Sequence, residues 1–182
     1  MSQLVKLSEV ENGDCSLWDY KKTPAKEDGS TDYNNITYTK EFLNKYVLPY
    51  IKYSNVSEGY IKDFTEGTEL PKFNMVIIEF LDGSNVYIKN GSCLDMYYDV
   101  NAEAGPNRMG YDRYTFAMCF SDEYKYWADR HTPFIAWGLS PDNLEIYDDR
   151  EKQLENCKKD GGCTRLLQLN GFDYPKDYPY KL

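Results

Sequence analysis

The sequence predicts an α+β domain: an antiparallel sheet of about four to five strands packed on an N-terminal helix, with short helices at the C-terminus. Three observations carry that prediction. An amphipathic helical stretch starts near Thr39, β-rich segments joined by turn dipeptides run from Met75 to Phe120, and a charged then leucine-rich stretch follows Asp148. With 182 residues and no linker-like composition, residues 1–182 form a single domain.

The elements follow in order. Residues 19–36 are polar and turn-rich, with Pro24 and Gly29, and read as a loop. From Thr39, the residues Phe42, Leu43, Tyr46, Val47 and Tyr50 share one helical face, while Lys40, Glu41, Asn44 and Lys45 share the other. Thr37 or Thr39 is the expected cap, and Pro49 ends or bends the helix by removing a backbone donor. Two β-rich runs, 75–81 and 85–89, are joined through Asp82-Gly83, the best short hairpin signal in the chain. Asn90-Gly91 turns the chain into a strand ending at Tyr98, the next strand spans 114–120, and 134–138 supplies a short fifth. Residues 148–158 suit a helix, and Leu166, Leu167 and Leu169 an apolar turn after it.

The net charge of −9 repels a phosphate backbone, and the paired lysines Lys21, Lys22, Lys158 and Lys159 form no basic stripe, so nucleic acid is not an expected partner. Tyrosines number 18 against 8 phenylalanines, a bias that suits half-buried sheet faces and interfaces. No run approaches the roughly 20 apolar residues of a membrane span, and the first ten residues lack the apolar core of a signal peptide, so the chain as given reads as soluble.

Five cysteines leave at least one unpaired. Cys157 and Cys163 bracket Lys-Lys-Asp-Gly-Gly, a sequence that can make the reversal a disulfide requires. The competing ligand is zinc, for which His131 is the sole histidine and no second close cysteine pair exists. A disulfide implies an oxidising compartment and export. Sequence does not pair Cys15, Cys93 and Cys119; Cys119, set among Phe116, Met118 and Phe120, reads as a buried thiol.

Between the strands ending at Tyr98 and starting at Tyr114 lies a loop rich in oxygen ligands. Asp99, Asn101, Asn107 and Asp112, with Glu103 in reserve, can turn their oxygens toward one hard cation such as calcium. The spacing is not an EF-hand, because Ala104 stands at the sixth position and Gly110 at the twelfth. The other reading is an ordinary connection in which Asp99 and Asn101 make turn hydrogen bonds and Asp112 starts the next strand.

The run Asp99-Val100-Asn101, Gly105-Pro106-Asn107, Gly110 and Asp112, followed by the strand through Tyr114 and Phe116, resembles a loop of bacterial type IV pilin-like and type II secretion pseudopilin-like proteins. The tail is similar as well: Cys157 and Cys163, then Leu166-Leu167-Gln168-Leu169, Asn170-Gly171-Phe172, Pro175 and Lys176-Asp177-Tyr178-Pro179. Lys45-Tyr46-Val47-Leu48-Pro49-Tyr50 and the hairpin at Asp82-Gly83 extend the likeness over most of the chain. The resemblance implies a pilin-like head, a non-catalytic structural subunit of a cell-envelope filament or secretion pseudopilus. Its partners would be identical or related subunits, met through an N-terminal helix, and a pilus or secretion assembly machinery. It would touch the membrane only through an anchor, and its place would be the cell envelope or the exterior. The anchor is the departure from the family pattern, and residues 1–18 read as a stub downstream of it. Relatives carry Gly where this chain has Ala102, a substitution strained if the position needs a positive φ.

The residues offer other chemistries. Cys119 and His131 could form a nucleophile and base, but neither lies in a nucleophile motif. The acid pairs Asp122-Glu123 and Asp148-Asp149 could serve glycoside hydrolysis, although adjacent charges ordinarily mark solvated turns. No catalysis is expected. The alternative to the filament subunit is a secreted, calcium-stabilised binding module for carbohydrate or a protein partner, using exposed tyrosines and Trp127 or Trp137.

Overall fold

Val76 and Ile78, Val86 and Ile88, and Leu94 and Met96 alternate with residues of the opposite face, and this period of two builds the sheet. The computed structural model describes residues 2–61, 73–91, 93–102, 104–120, 134–136, 146–160 and 162–180. Among the described residues six strands are formed: β1 (Asn55–Gly59), β2 (Met75–Glu79), β3 (Asn85–Asn90), β4 (Leu94–Asp99), β5 (Arg113–Met118) and β6 (Phe134–Ala136). They pair in sequence order, each antiparallel to the next.

The class is therefore the expected α+β, but with six strands. The strand that sequence reading passed over is β1, Asn-Val-Ser-Glu-Gly, which has a single apolar residue and weak intrinsic preference. It is a strand because β2 offers it a ladder, with Val56 opposite Ile78. At the Asp82-Gly83 hairpin, Gly83 takes φ +88°, Ser84 N–H donates to the Asp82 carboxylate at 3.0 Å, and Phe80 N–H donates to Ser84 O at 2.9 Å.

Two helices, α1 (Ser2–Asn12) and α2 (Thr37–Tyr46), lie on the sheet face that carries Val76, Ile78, Val86, Ile88, Leu94, Met96 and Met118. Leu4 and Val5 of α1 and Phe42, Leu43 and Tyr46 of α2 are buried there, and Trp18 stacks on Tyr46 with ring centroids 4.6 Å apart. Neither expected threonine caps α2. Ile36 takes the cap position without a side-chain bond, Thr39 is buried inside the helix, and the Asn35 carboxamide oxygen accepts from Thr37 N–H at 3.1 Å instead. Pro49 lies in the 3-10 turn Leu48–Tyr50 that terminates α2. The 19–36 segment is irregular, as expected, and is tethered to the corner after β3: Tyr20 hydroxyl donates to the Asn90 side chain and Thr23 hydroxyl to Asn90 O at 2.6 Å.

α3 (Arg150–Asp160) packs against α4 (Thr164–Leu169), and α4 meets the sheet at the β5–β6 end. Thr115 N–H donates to Thr164 Oγ1 at 3.0 Å, beyond the last pair that β6 makes with β5. Among the described residues, no helix is long and apolar enough to cross a membrane.

Candidate functional site

β4 ends at Asp99 and β5 begins at Arg113, and the two residues are register partners, so the loop between them opens from one fixed gate. Arg113 Nε donates to Asp99 Oδ2 at 2.7 Å, with side chains only 3% and 1% exposed. Arg113 Nη2 donates to Asn107 Oδ1 at 3.0 Å. The Asp112 carboxylate turns the other way and accepts the backbone N–H groups of Asn107 and Arg108, both at 2.7 Å. Asn101 N–H donates to Asp99 Oδ1 at 3.3 Å and its amide to Gly105 O at 3.2 Å, while its buried Oδ1 has no partner. Burial pushes the Asp99 carboxyl above the usual carboxylate range, and the hydrogen bond from Arg113 opposes that push.

All four expected calcium ligands thus lie in one loop, but they do not present one vacant shell. Asp99 and Asn107 converge on a guanidinium, each oxygen of Asp112 accepts a backbone N–H, and the buried Asn101 Oδ1 has no partner. As arranged, this donor set does not fit calcium, which requires six or more oxygens facing one centre. Glu103 lies outside the described residues. Ala102 adopts a positive φ of 53°, which strains a residue that carries a Cβ, and Asn107 adopts 54°, which Asn tolerates better. Arg113 is the residue that sequence reading missed. Its signal was a charge at the mouth of an apolar strand, which burial permits only when a partner is supplied.

The C-terminal tail closes over this loop. After Gly171 and Phe172, both at positive φ (69° and 67°), Tyr174 hydroxyl meets Tyr114 hydroxyl at 2.8 Å. Tyr114 in turn donates to Tyr111 O at 2.8 Å, and Tyr178 hydroxyl donates to Gly110 O. Tyr180 stacks on Tyr111 at 4.3 Å and donates to Cys157 O at 2.7 Å. Burial pushes Tyr178 up to about 12, and it pushes Tyr114 further still. Arg150 grips Asp177 from outside with two hydrogen bonds, of 3.0 and 2.6 Å.

Cys157 and Cys163 form the expected disulfide, which fastens α3 to α4. Cys119 is not a free thiol: it pairs with Cys93, next to the register pair Leu94 and Met118, a proximity that only the β4–β5 pairing creates. It therefore offers no nucleophile. Cys15 is free and half-buried, and burial with the neighbouring Glu9 pushes its thiol up to about 12, far from a reactive thiolate. Asp148 pairs with Arg165, and Asp149 accepts the N–H groups of Glu151 and Lys152 at the start of α3, so this acid pair is structural. Asp122, Glu123, Trp127, His131 and Trp137 lie outside the described residues.

On the helix-bearing face, past α2, a groove of about 410 Å³ stays open. Val86 and Met96 form part of its lining with Ile51, Phe80, Tyr98, Phe116, Phe134 and Phe172, a wholly apolar and aromatic set apart from one phenol.

A family profile described as a family of unknown function (DUF6613) matches residues 1–182. No curated protein matches the chain, and no solved structure does.

Proposed function

The chain belongs to DUF6613, a family of unknown function, and from its own geometry we propose that it is the head of a pilin-like or pseudopilin-like subunit. The observation that carries this reading is the two-sidedness of α1. Leu4, Val5 and Ser8 are buried against the head, while Leu7 and Val10 are 55% and 83% exposed. A helix glued to its own domain along one edge and apolar along the other suits packing between subunits. The single meander sheet and the tail locked by tyrosines and a disulfide support the same role. The head contributes lateral contacts and the outer surface of a cell-envelope filament, and it carries no catalytic duty. Two disulfides agree with an extracellular or envelope location.

The test has two parts. The encoding gene is expected to place an apolar helical segment directly upstream of α1. In cells, a Val10→Cys variant in a Cys15→Ser background is expected to give ladders of cross-linked subunits with a short bis-maleimide. Monomer alone, at native expression, would sink the filament role.

The aromatic groove favours a second reading, a secreted binding module. Its lining offers almost no hydrogen-bonding groups, so it suits an apolar segment of a protein partner better than a carbohydrate. Chemical-shift changes at Phe116 and Tyr98 on adding oligosaccharides would reverse that preference.

A further inference from the structure

We infer that Arg113 is a built-in substitute for a metal ion: its guanidinium organises the 99–113 loop in the way a bound calcium would, and it makes the loop independent of divalent cations. The inference stands apart from the filament reading. A loop of this composition gathers carbonyl and carboxylate oxygens about one centre, and those oxygens repel one another unless something positive sits among them. Here the positive group comes from the first residue of β5. Nε and Nη2 reach two side chains from different parts of the loop, Asp99 Oδ2 at 2.7 Å and Asn107 Oδ1 at 3.0 Å. The planar fork suits that double duty, which a lysine ammonium does less well.

Three details separate a substitute from an incidental ion pair. The pair is buried, with the two side chains 3% and 1% exposed, so it is not a surface contact held loosely in water. Arg113 and Asp99 are register partners across β4 and β5, so the charge is delivered by the sheet and does not depend on the loop's own conformation. Finally, Asn101 Oδ1 is buried without a donor, an acceptor left where a larger coordination shell would have used it. A divalent ion added beside the guanidinium would meet like charge, and the loop therefore has no use for it while Arg113 is in place.

Thermal unfolding of the oxidised chain in EDTA and in millimolar calcium tests this, alongside Arg113→Ala and Arg113→Lys variants. The wild type is expected to melt at the same temperature in both buffers. Arg113→Ala is expected to melt lower in EDTA and to recover several degrees in calcium, because Asp99, Asn101 and Asn107 are then short of a cation. Arg113→Lys keeps the charge without the fork, so it should melt below wild type and remain unresponsive to calcium. A calcium-dependent rise in wild type or in Arg113→Lys would overturn the inference. So would an Arg113→Ala chain that folds yet ignores calcium. If Arg113→Ala does not fold in EDTA, refolding it from denaturant with and without calcium gives the same reading: calcium-dependent recovery supports the substitution, and none refutes it.

Discussion

On one face of the sheet, α1 and α2 press Leu4, Val5, Phe42, Leu43 and Tyr46 into a continuous apolar core; at the β5–β6 end, α3 and α4 add a smaller apolar set, and two disulfides and a cluster of phenols secure that end of the molecule. The difference follows from what each layer can bury. α4 has six residues and α3 carries the polar run Arg-Glu-Lys-Gln-Leu-Glu-Asn-Cys-Lys-Lys-Asp, so together they remove little apolar surface from water. Cross-links and directional hydrogen bonds take over where burial is small, by the same logic that makes small domains depend on disulfides.

Substitutions can break or sharpen that contrast. The largest effect is expected on the helix-packed face, where Ile88 is 0% exposed: Ile88→Ala should lower the unfolding free energy by about 3–4 kcal/mol, the transfer loss plus the cavity. Denaturant melts measure it, and a loss under 1 kcal/mol would mean that this layer is not the main source of stability. Next come the crosslinks. The Cys93 and Cys119 bridge closes a separation of 26 residues and should contribute about 3.5 kcal/mol, while Cys157 and Cys163 close one of 6 and should contribute about 2 kcal/mol. Paired Cys→Ser variants compared under non-reducing conditions test both values, and an unchanged melting temperature for the Cys157→Ser, Cys163→Ser chain would show that the C-terminal layer holds without its staple.

The smallest effect is a pH response that Tyr178 of the tail shares with Tyr97 and Tyr114 of the sheet. Tyr178 has its pKa raised by burial from 10.0 to about 12, so folding favours the neutral phenol. Its contribution is then complete below about pH 10, where the unfolded chain begins to ionise, and is lost as pH rises through about 12. Tyrosinate absorbance in a Cys15→Ser chain should therefore show a delayed fraction, together with detachment of the tail from Tyr111 and Tyr114. Titration of every tyrosine near the ordinary value would remove the latch from the account.

The alternation in 75–81, 85–89 and 94–98 and the turn signals between them were enough to read the antiparallel meander, because local period and turn chemistry agree there with the tertiary outcome. β1 was illegible for the opposite reason: Asn-Val-Ser-Glu-Gly becomes a strand only when β2 supplies its hydrogen bonds. The Cys93 and Cys119 bridge was hidden likewise, since nothing in either residue's neighbourhood shows that β4 and β5 bring them together. At the loop, the oxygens were legible and their partner was not. Asp99, Asn101, Asn107 and Asp112 announce a demand for positive charge or N–H donors, but whether an ion, a backbone amide or Arg113 answers it depends on the register of two strands.

The strictly sequential strand order has a consequence for how such a chain comes into being. Every described strand after β1 pairs with its predecessor, so a chain delivered N-terminus first can zip each strand onto a template already in place, without waiting for a distant partner. Loop-closure entropy is then spread over a series of short steps, and each open edge is covered by the next segment to arrive. The bridge from Cys157 to Cys163 and the seating of Tyr174, Tyr178 and Tyr180 draw on residues that follow every described strand, so the segments made after the sheet are those that lock it.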